Sequence, residues 1–215
     1  MRTHGTCSLA LAAALALFAC QSPDKGQTTG ASITKNAGLI ERGMHELDAV
    51  VASLHELVDT PAADLAGQRK AFEKALADVE TTSTQVSETA AKMSASGQAY
   101  FRDWDEQLAT IQNEDIRARS ADRKQAIEAS FTDLQGEYGE AKSAFEPLLS
   151  NLRDIRAALR SDLTLEGLDA LKPAVKQVDK QTAVVREKLQ DLSADFRALG
   201  VGMSQTGPPP ANPSH

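Results

Sequence analysis

Apolar residues recur along this chain at alternating steps of three and four, the spacing that lays a narrow stripe along one face of an α-helix. The first stripe runs Ile33, Ala37, Ile40, Met44, Leu47, Val51, Leu54 and Val58. Asp59-Thr60-Pro61 closes it, because the residue before a proline is pushed out of the helical region. A second stripe runs from Phe72 to Ile111, a third from Ile116 to Leu159 and a fourth from Leu168 to Leu199. Asn113 is placed to cap the third helix, with Glu114 and Asp115 suiting the positive end of its dipole, and Thr164 to cap the fourth. Pro147 is expected to kink the third. The pattern predicts an all-α fold: an elongated antiparallel bundle of four long helices with coiled-coil-like seams.

The stripes also carry a register. Folding the second helix back on the third pairs positions whose numbers total 231, so that Gly97 meets Leu134, Tyr100 meets Phe131 and Trp104 meets Ile127. Each of the two stripes contains one four-four step, centred on Trp104 and on Ile127, and the two fall in one layer. A step of that kind relaxes a supercoil locally, so matching steps point to a long hairpin. The first and second helices pair at totals of 126 or 127, the third and fourth at 326 or 327. The central helices, about 70 Å long at ~1.5 Å per residue, then outrun their neighbours and protrude as a two-helix tip near Asn113–Ile116.

The ends of the chain break the pattern. Residues 1–19 join Arg2 to the apolar run Ser8–Phe18, too short to span a bilayer and suited to a secretory signal. Leu17-Phe18-Ala19-Cys20 resembles the end of a bacterial lipoprotein signal, cleaved between Ala19 and Cys20, with the thiol of Cys20 acylated. Phe18 is larger than the residue usual at its place. Cys7 lies in the segment removed, so Cys20 is left without an internal disulfide partner, and lipidation explains it. Several acyl chains on one Cys anchor a protein stably, at ~0.8 kcal/mol per buried CH₂. Gln21 and Ser22 stand where the retention signal of that pathway would put Asp, which implies the inner leaflet of an outer membrane. Residues 20–31 read as a polar tether with a reach of roughly 20 Å, residues 32–199 as the bundle, and residues 200–215, with their Pro run, as a disordered tail.

Charge and motifs narrow the chemistry. Removing Arg2 from the 23 basic residues leaves 22 against 30 acidic ones, which argues against a nucleic-acid partner. The stretch "YFRDWDEQL" (Tyr100–Leu108) holds the only Trp and invites a paired-carboxylate reading. Asp103 and Asp105, however, flank a seam position and point to opposite sides of it. Arg117, Arg119, Arg123 and Lys124 on the returning helix are the expected ion-pair partners, or contacts for anionic headgroups. His45 and His55, in a repeated "HEL", lie about three turns apart, too far for a shared metal. The sequence has no Glu-x-x-His, paired Cys, Gly-rich phosphate loop or nucleophile elbow, so neither catalytic residues nor a cofactor or metal are expected.

"FRDWDEQL" (Phe101–Leu108), "AFEPLLSNLRDIRAAL" (Ala144–Leu159) and four helices behind a lipoprotein signal resemble a family of bacterial lipoproteins known as domain of unknown function number 2959. The resemblance covers about residues 33–199 and implies an envelope location and a helical fold, with no catalytic residue to carry over. The reading is therefore a non-enzymatic scaffold or adaptor, held to the membrane through acylated Cys20 and facing the periplasm. It meets an envelope protein through helix contacts, with Asn113, Glu114, Arg117 and Arg119 at its tip, and thin seams that a second copy of the chain could complete. The rival reading is a lipid- or small-ligand-binding bundle using the Tyr100–Trp104 region.

Overall fold

A computed structural model describes residues 25–204. Four helices follow one another: α1 (Lys25–Asp59), α2 (Leu65–Thr110), α3 (Glu114–Ser161) and α4 (Leu165–Ser204). Asp64 Oδ1 accepts from Gly67 N at 2.9 Å to start α2, Asn113 Oδ1 accepts from Ile116 N at 3.0 Å to start α3, and Thr164 Oγ1 accepts from Gly167 N at 3.1 Å to start α4. The α1–α2 turn is tied by one side chain. The Gln68 amide donates to the carbonyls of Glu56 and Thr60, and its oxygen accepts from Ala62 N. α3 runs unbroken through Pro147, and α4 through Pro173.

Two boundaries move. Lys25–Ala31, expected in the tether, form the first turns of α1, and Gly200–Ser204, expected in the tail, form the last turn of α4. The two segments support each other. A Cβ on Gly30 would lie 2.5 Å from Gly200 O, and one on Gly200 would lie 2.9 Å from Gly30 O. Two glycines opposite each other let the backbones touch, and that contact keeps helical a composition that would not hold a helix alone. Gly30, Gly200 and Met203 are buried.

α1 and α4 meet in a regular ladder. His55 Nε2 lies 2.8 Å from Asp179, Asp48 pairs with Arg186, Ser193 Oγ donates to Glu41 at 3.0 Å, and Thr34 abuts Gly200. Each rung is seven residues from the next on both helices, the signature of a left-handed antiparallel seam. Both ring nitrogens of His55 face carboxylates, Asp59 at 2.6 Å and Asp179. Those hydrogen bonds, with Asp59 the stronger, raise the imidazolium pKa above its usual 6.5.

The other registers agree with the stripes more closely for some pairs than for others. Phe101–Phe131, Asp105–Lys124 and Glu80–Arg153 lie within two positions of the expected α2–α3 pairing. Between α3 and α4, Lys188 meets Glu140 close to expectation, whereas Asn151 reaches Gln181 instead of positions 175–176. At the closed end, Glu80 sits between Arg153 and Arg156, and Glu73 between Arg69 and Arg160, tying α2 to α3.

The interior is two cores stacked end to end. One surrounds Leu54, Phe72, Leu152 and Val178, near the α1–α2 turn. The other gathers Ile33, Met93, Phe101, Phe131, Phe196 and Met203, where the chain enters α1 and leaves α4. Beyond Phe101 on α2 and before Ile127 on α3 no residue is buried. Past Phe101, α2 runs on for about nine residues, roughly 13 Å at 1.5 Å per residue, without a buried side chain, and the α2–α3 tip lies at its end.

Gly97 packs under the Phe131 ring, where an added Cβ would fall 2.2 Å from the ring carbon Cζ. Gly97→Ala is expected to lose about 1–2 kcal/mol of stability despite the better helix propensity of Ala. In a Phe131→Leu background the same change should turn neutral or stabilising. Thermal unfolding of the four proteins in this cycle checks the sign change.

Candidate functional site

The tip is built by three residues of loop, Ile111-Gln112-Asn113, between two long helices. Asn113 spends its side chain on capping α3, so it serves the turn itself rather than a ligand. Arg117 is partly engaged as well: Nη1 donates to Ile111 O at 3.2 Å, and Glu114 lies 4.0 Å away. Arg119 is exposed, as are Glu114 and Asp115. Ile116, placed by its spacing in the seam, is instead 58% exposed. It is one of four large apolar side chains exposed among the described residues, and the one on the tip.

One layer below lies the aromatic stretch. Phe101, rather than Tyr100 or Trp104, takes the core position, stacked edge-on against Phe131 at 5.6 Å. Trp104, expected to plug the core against Ile127, packs on the edge of the cluster that holds Ile127 and is only partly buried. The buried path on α2 runs Met93, Gly97, Phe101, with its four-four step centred on Gly97, two turns before the expected place. An α-helix drifts ~20° per heptad against a strict 3.5 repeat, and over the length of α2 that drift rotates Phe101 inward. Trp104 is left half-buried, its Nε1 donating to Ser120 Oγ at 3.0 Å, with the Arg123 guanidinium 5.8 Å from its ring centroid. Of the two acids flanking it, Asp105 pairs with Lys124 at 3.0 Å, and the same ammonium meets Glu128 at 3.0 Å. The hydrogen bond to Asp105, with that to Glu128, holds Lys124 above its ordinary pKa. This is cross-hairpin pairing and presents no desolvated carboxylate in a cleft.

His45 is exposed, and His55 belongs to the α1–α4 ladder. Among the described residues, no group of His, Cys, Asp or Glu has the arrangement of a metal site, and no helix is long and apolar enough to cross a membrane. Cys20 and Ala19 lie outside the described residues.

Two hollows occur along the α2–α3 side. The first is open and polar, beside the aromatic layer, where Phe101 and Phe131 meet Arg102, Asp105 and Glu128. Tyr100 and Trp104 line neither hollow. The second is an open-mouthed cleft between the two cores, with a cavity volume of about 70 Å³. Its walls are Val79, Thr82 and Val86 of α2, Ala141 and Phe145 of α3, and Ile40, Gly43, Leu189 and Leu192 below. Small residues at this level, Gly43, Ser83 and Ala141, leave the space unfilled.

The chain matches, over residues 33–196, the family described as a protein of unknown function (DUF2959). The chain belongs to the DUF2959 family. No curated protein and no solved structure matches it. The DUF2959 match ends before the Gly200 turn of α4 and begins after Gly30, so the glycine contact that closes this bundle lies outside the matched span.

Sequence reasoning missed one electrostatic feature of this DUF2959 protein. On the α3–α4 face, Glu137 is hydrogen-bonded to Asp195, with Asp133 and Asp191 nearby. Shielding from water, that hydrogen bond and the neighbouring charges push Glu137 up to about 7. The folded state therefore holds a proton that the unfolded chain releases near 4.5, so stability from this pair is full below pH 4.5 and lost as pH rises through about 7. Glu137→Gln, which keeps a donor without the charge, should unfold at the same temperature as the parent at pH 4 and at a higher one at pH 8. Melting curves at the two pH values check this.

Proposed function

We propose that this DUF2959 protein is a lipid-anchored, non-enzymatic helical scaffold or adaptor of the bacterial cell envelope, facing the periplasm, with its tip directed at the membrane that holds its anchor. The observation that carries the reading is where α1 begins. Lys25 is five positions after Cys20, a span of at most about 17 Å even if fully extended. α1 starts at the end of the bundle from which the α2–α3 tip protrudes. The tip at that end is then within reach of the bilayer surface. Exposed Ile116 between Asp115 and Arg117, with Arg119 alongside, suits contact with anionic headgroups or with a helix of a membrane-bound partner. The closed end, tied by Glu73, Glu80 and their arginines, would stand away from the membrane.

Cys20→Ser is expected to block cleavage by the lipoprotein pathway and to abolish labelling by palmitate, and labelling of that variant would refute the anchor. A photo-crosslinker at position 116 should capture membrane lipid or a membrane-bound protein in cells, and one at position 61 in the α1–α2 turn should not. Equal capture from both positions would remove the orientation.

A further inference from the structure

One rung of the α1–α4 ladder needs a proton that the others do not. His55 stands on α1, with Asp59 one turn later on the same helix and Asp179 opposite it on α4. Its Nδ1 lies 2.6 Å from Asp59 Oδ2, and its Nε2 lies 2.8 Å from Asp179 Oδ1. An ionised carboxylate can only accept, and a neutral imidazole has a single N–H. Both contacts are hydrogen bonds at once only when the ring carries two protons and a positive charge. Loss of either proton leaves a bare ring nitrogen against a carboxylate oxygen at one of them.

The charges around this rung are held elsewhere or stand in water. On α1 the neighbour besides Asp59 is the exposed Glu56, and on α4 Lys176 and Lys180 lie exposed near Asp179. Lys172 of α4 is bound to Asp169 at 2.7 Å and also feels Asp59. Near the turn on α2, Arg69 and Glu73 hold each other at 2.7 Å, with Arg160 of α3 on the same carboxylate. Further along the α1–α4 seam, Asp48 is paired with Arg186 and Glu41 with Arg197. A guanidinium keeps its charge at any pH near neutrality, so those pairs do not switch where an imidazole does. The place matters as well. Leu54, Leu57 and Val58 beside His55, and Val178 beside Asp179, belong to the core of the closed end. Asp59 is the last residue of α1, ahead of the turn that Gln68 ties.

We propose that His55 is a proton-dependent clasp, which fastens the last turns of α1 to α4 when protonated and, when deprotonated, lets one of its two carboxylates go and loosens the closed end. The hydrogen bonds from Asp59 and Asp179 favour the imidazolium and raise its pKa from 6.5. The clasp is therefore fully fastened below pH 6.5, the value of the unfolded chain, and released as pH rises through the higher value of the folded state. An ordinary carboxylate ion pair behaves in the opposite sense, since acid dissolves it. The device goes beyond the adaptor reading and is independent of what happens at Cys20.

Hydrogen exchange of the full chain carrying Cys20→Ser and Glu137→Gln tests it, the second change silencing the proton-dependent contact of α4 with Asp195. After division by the intrinsic exchange rate, amides of residues 52–64 should lose protection severalfold between about pH 5.5 and about pH 8.5. Those of residues 41–47, beside the arginine pairs, should hold theirs. His55→Gln, neutral at every pH, should show the lower protection at both values. Asp179→Ala keeps the bond within α1 and removes the one across to α4, so it should bring the His55 titration, followed by imidazole NMR, down toward 6.5. Equal protection of residues 52–64 at the two pH values, a pH dependence that survives His55→Gln, or an imidazole titration that Asp179→Ala does not move would each overturn the proposal.

Discussion

The bundle hangs on the contact between its first and last helices. α1 and α4 meet at one offset, with His55–Asp179, Asp48–Arg186, Glu41–Ser193 and Thr34–Gly200 as successive rungs. Individually such surface pairs contribute little, about 0–1 kcal/mol. Their value is positional: each is wrong if α4 slips by a turn. The apolar seam between them, Ile33, Ile40, Leu47 and Leu54 against Val178, Val185, Leu192 and Leu199, supplies the burial that the rungs align. Gly30 and Gly200, just beyond the last rung, allow the helices to close where chain entry and exit would otherwise fray.

Everything that could serve function follows from how α2 and α3 attach to that pair. They are joined to each other at the closed end by Glu73, Glu80 and three arginines, and again at the aromatic layer by Phe101–Phe131 and Asp105–Lys124. Between those points small residues leave a cleft, and past the aromatic layer α2 has no buried residue. The same arrangement thus gives a hollow at mid-length and a bare tip at the end where α1 begins. A long helical hairpin with little to bury at its end leaves Ile116 and its charged neighbours exposed.

Helix number, order, caps and the central hairpin were legible in the sequence, because heptad stripes report on burial directly. Asn113 and Thr164 cap as their residue types demand. Three things were not legible, each for a physical reason. Gly30 and Gly200 look like linker residues by propensity, and only the tertiary contact between them makes their segments helical. Phe101 displaces Trp104 from the core because a straight helix drifts against a strict heptad, and a regular heptad stripe carries no trace of that drift. The cleft had a signal, since Ser83 already occupied a seam position, but its unpaired partner Thr82 fell outside the stripe.

The α1–α4 register carries the account, and a designed disulfide tests it most directly. An ideal Cβ on Gly200 lies 2.3 Å from Thr34 Oγ1, so cysteines at 34 and 200 in the Cys20→Ser chain are close enough to bridge without moving the helices. The account predicts rapid intramolecular oxidation of the 34–200 pair and none for 38–200, one turn away. Oxidation of the 38–200 pair, or none at 34–200 in a folded protein, would contradict it.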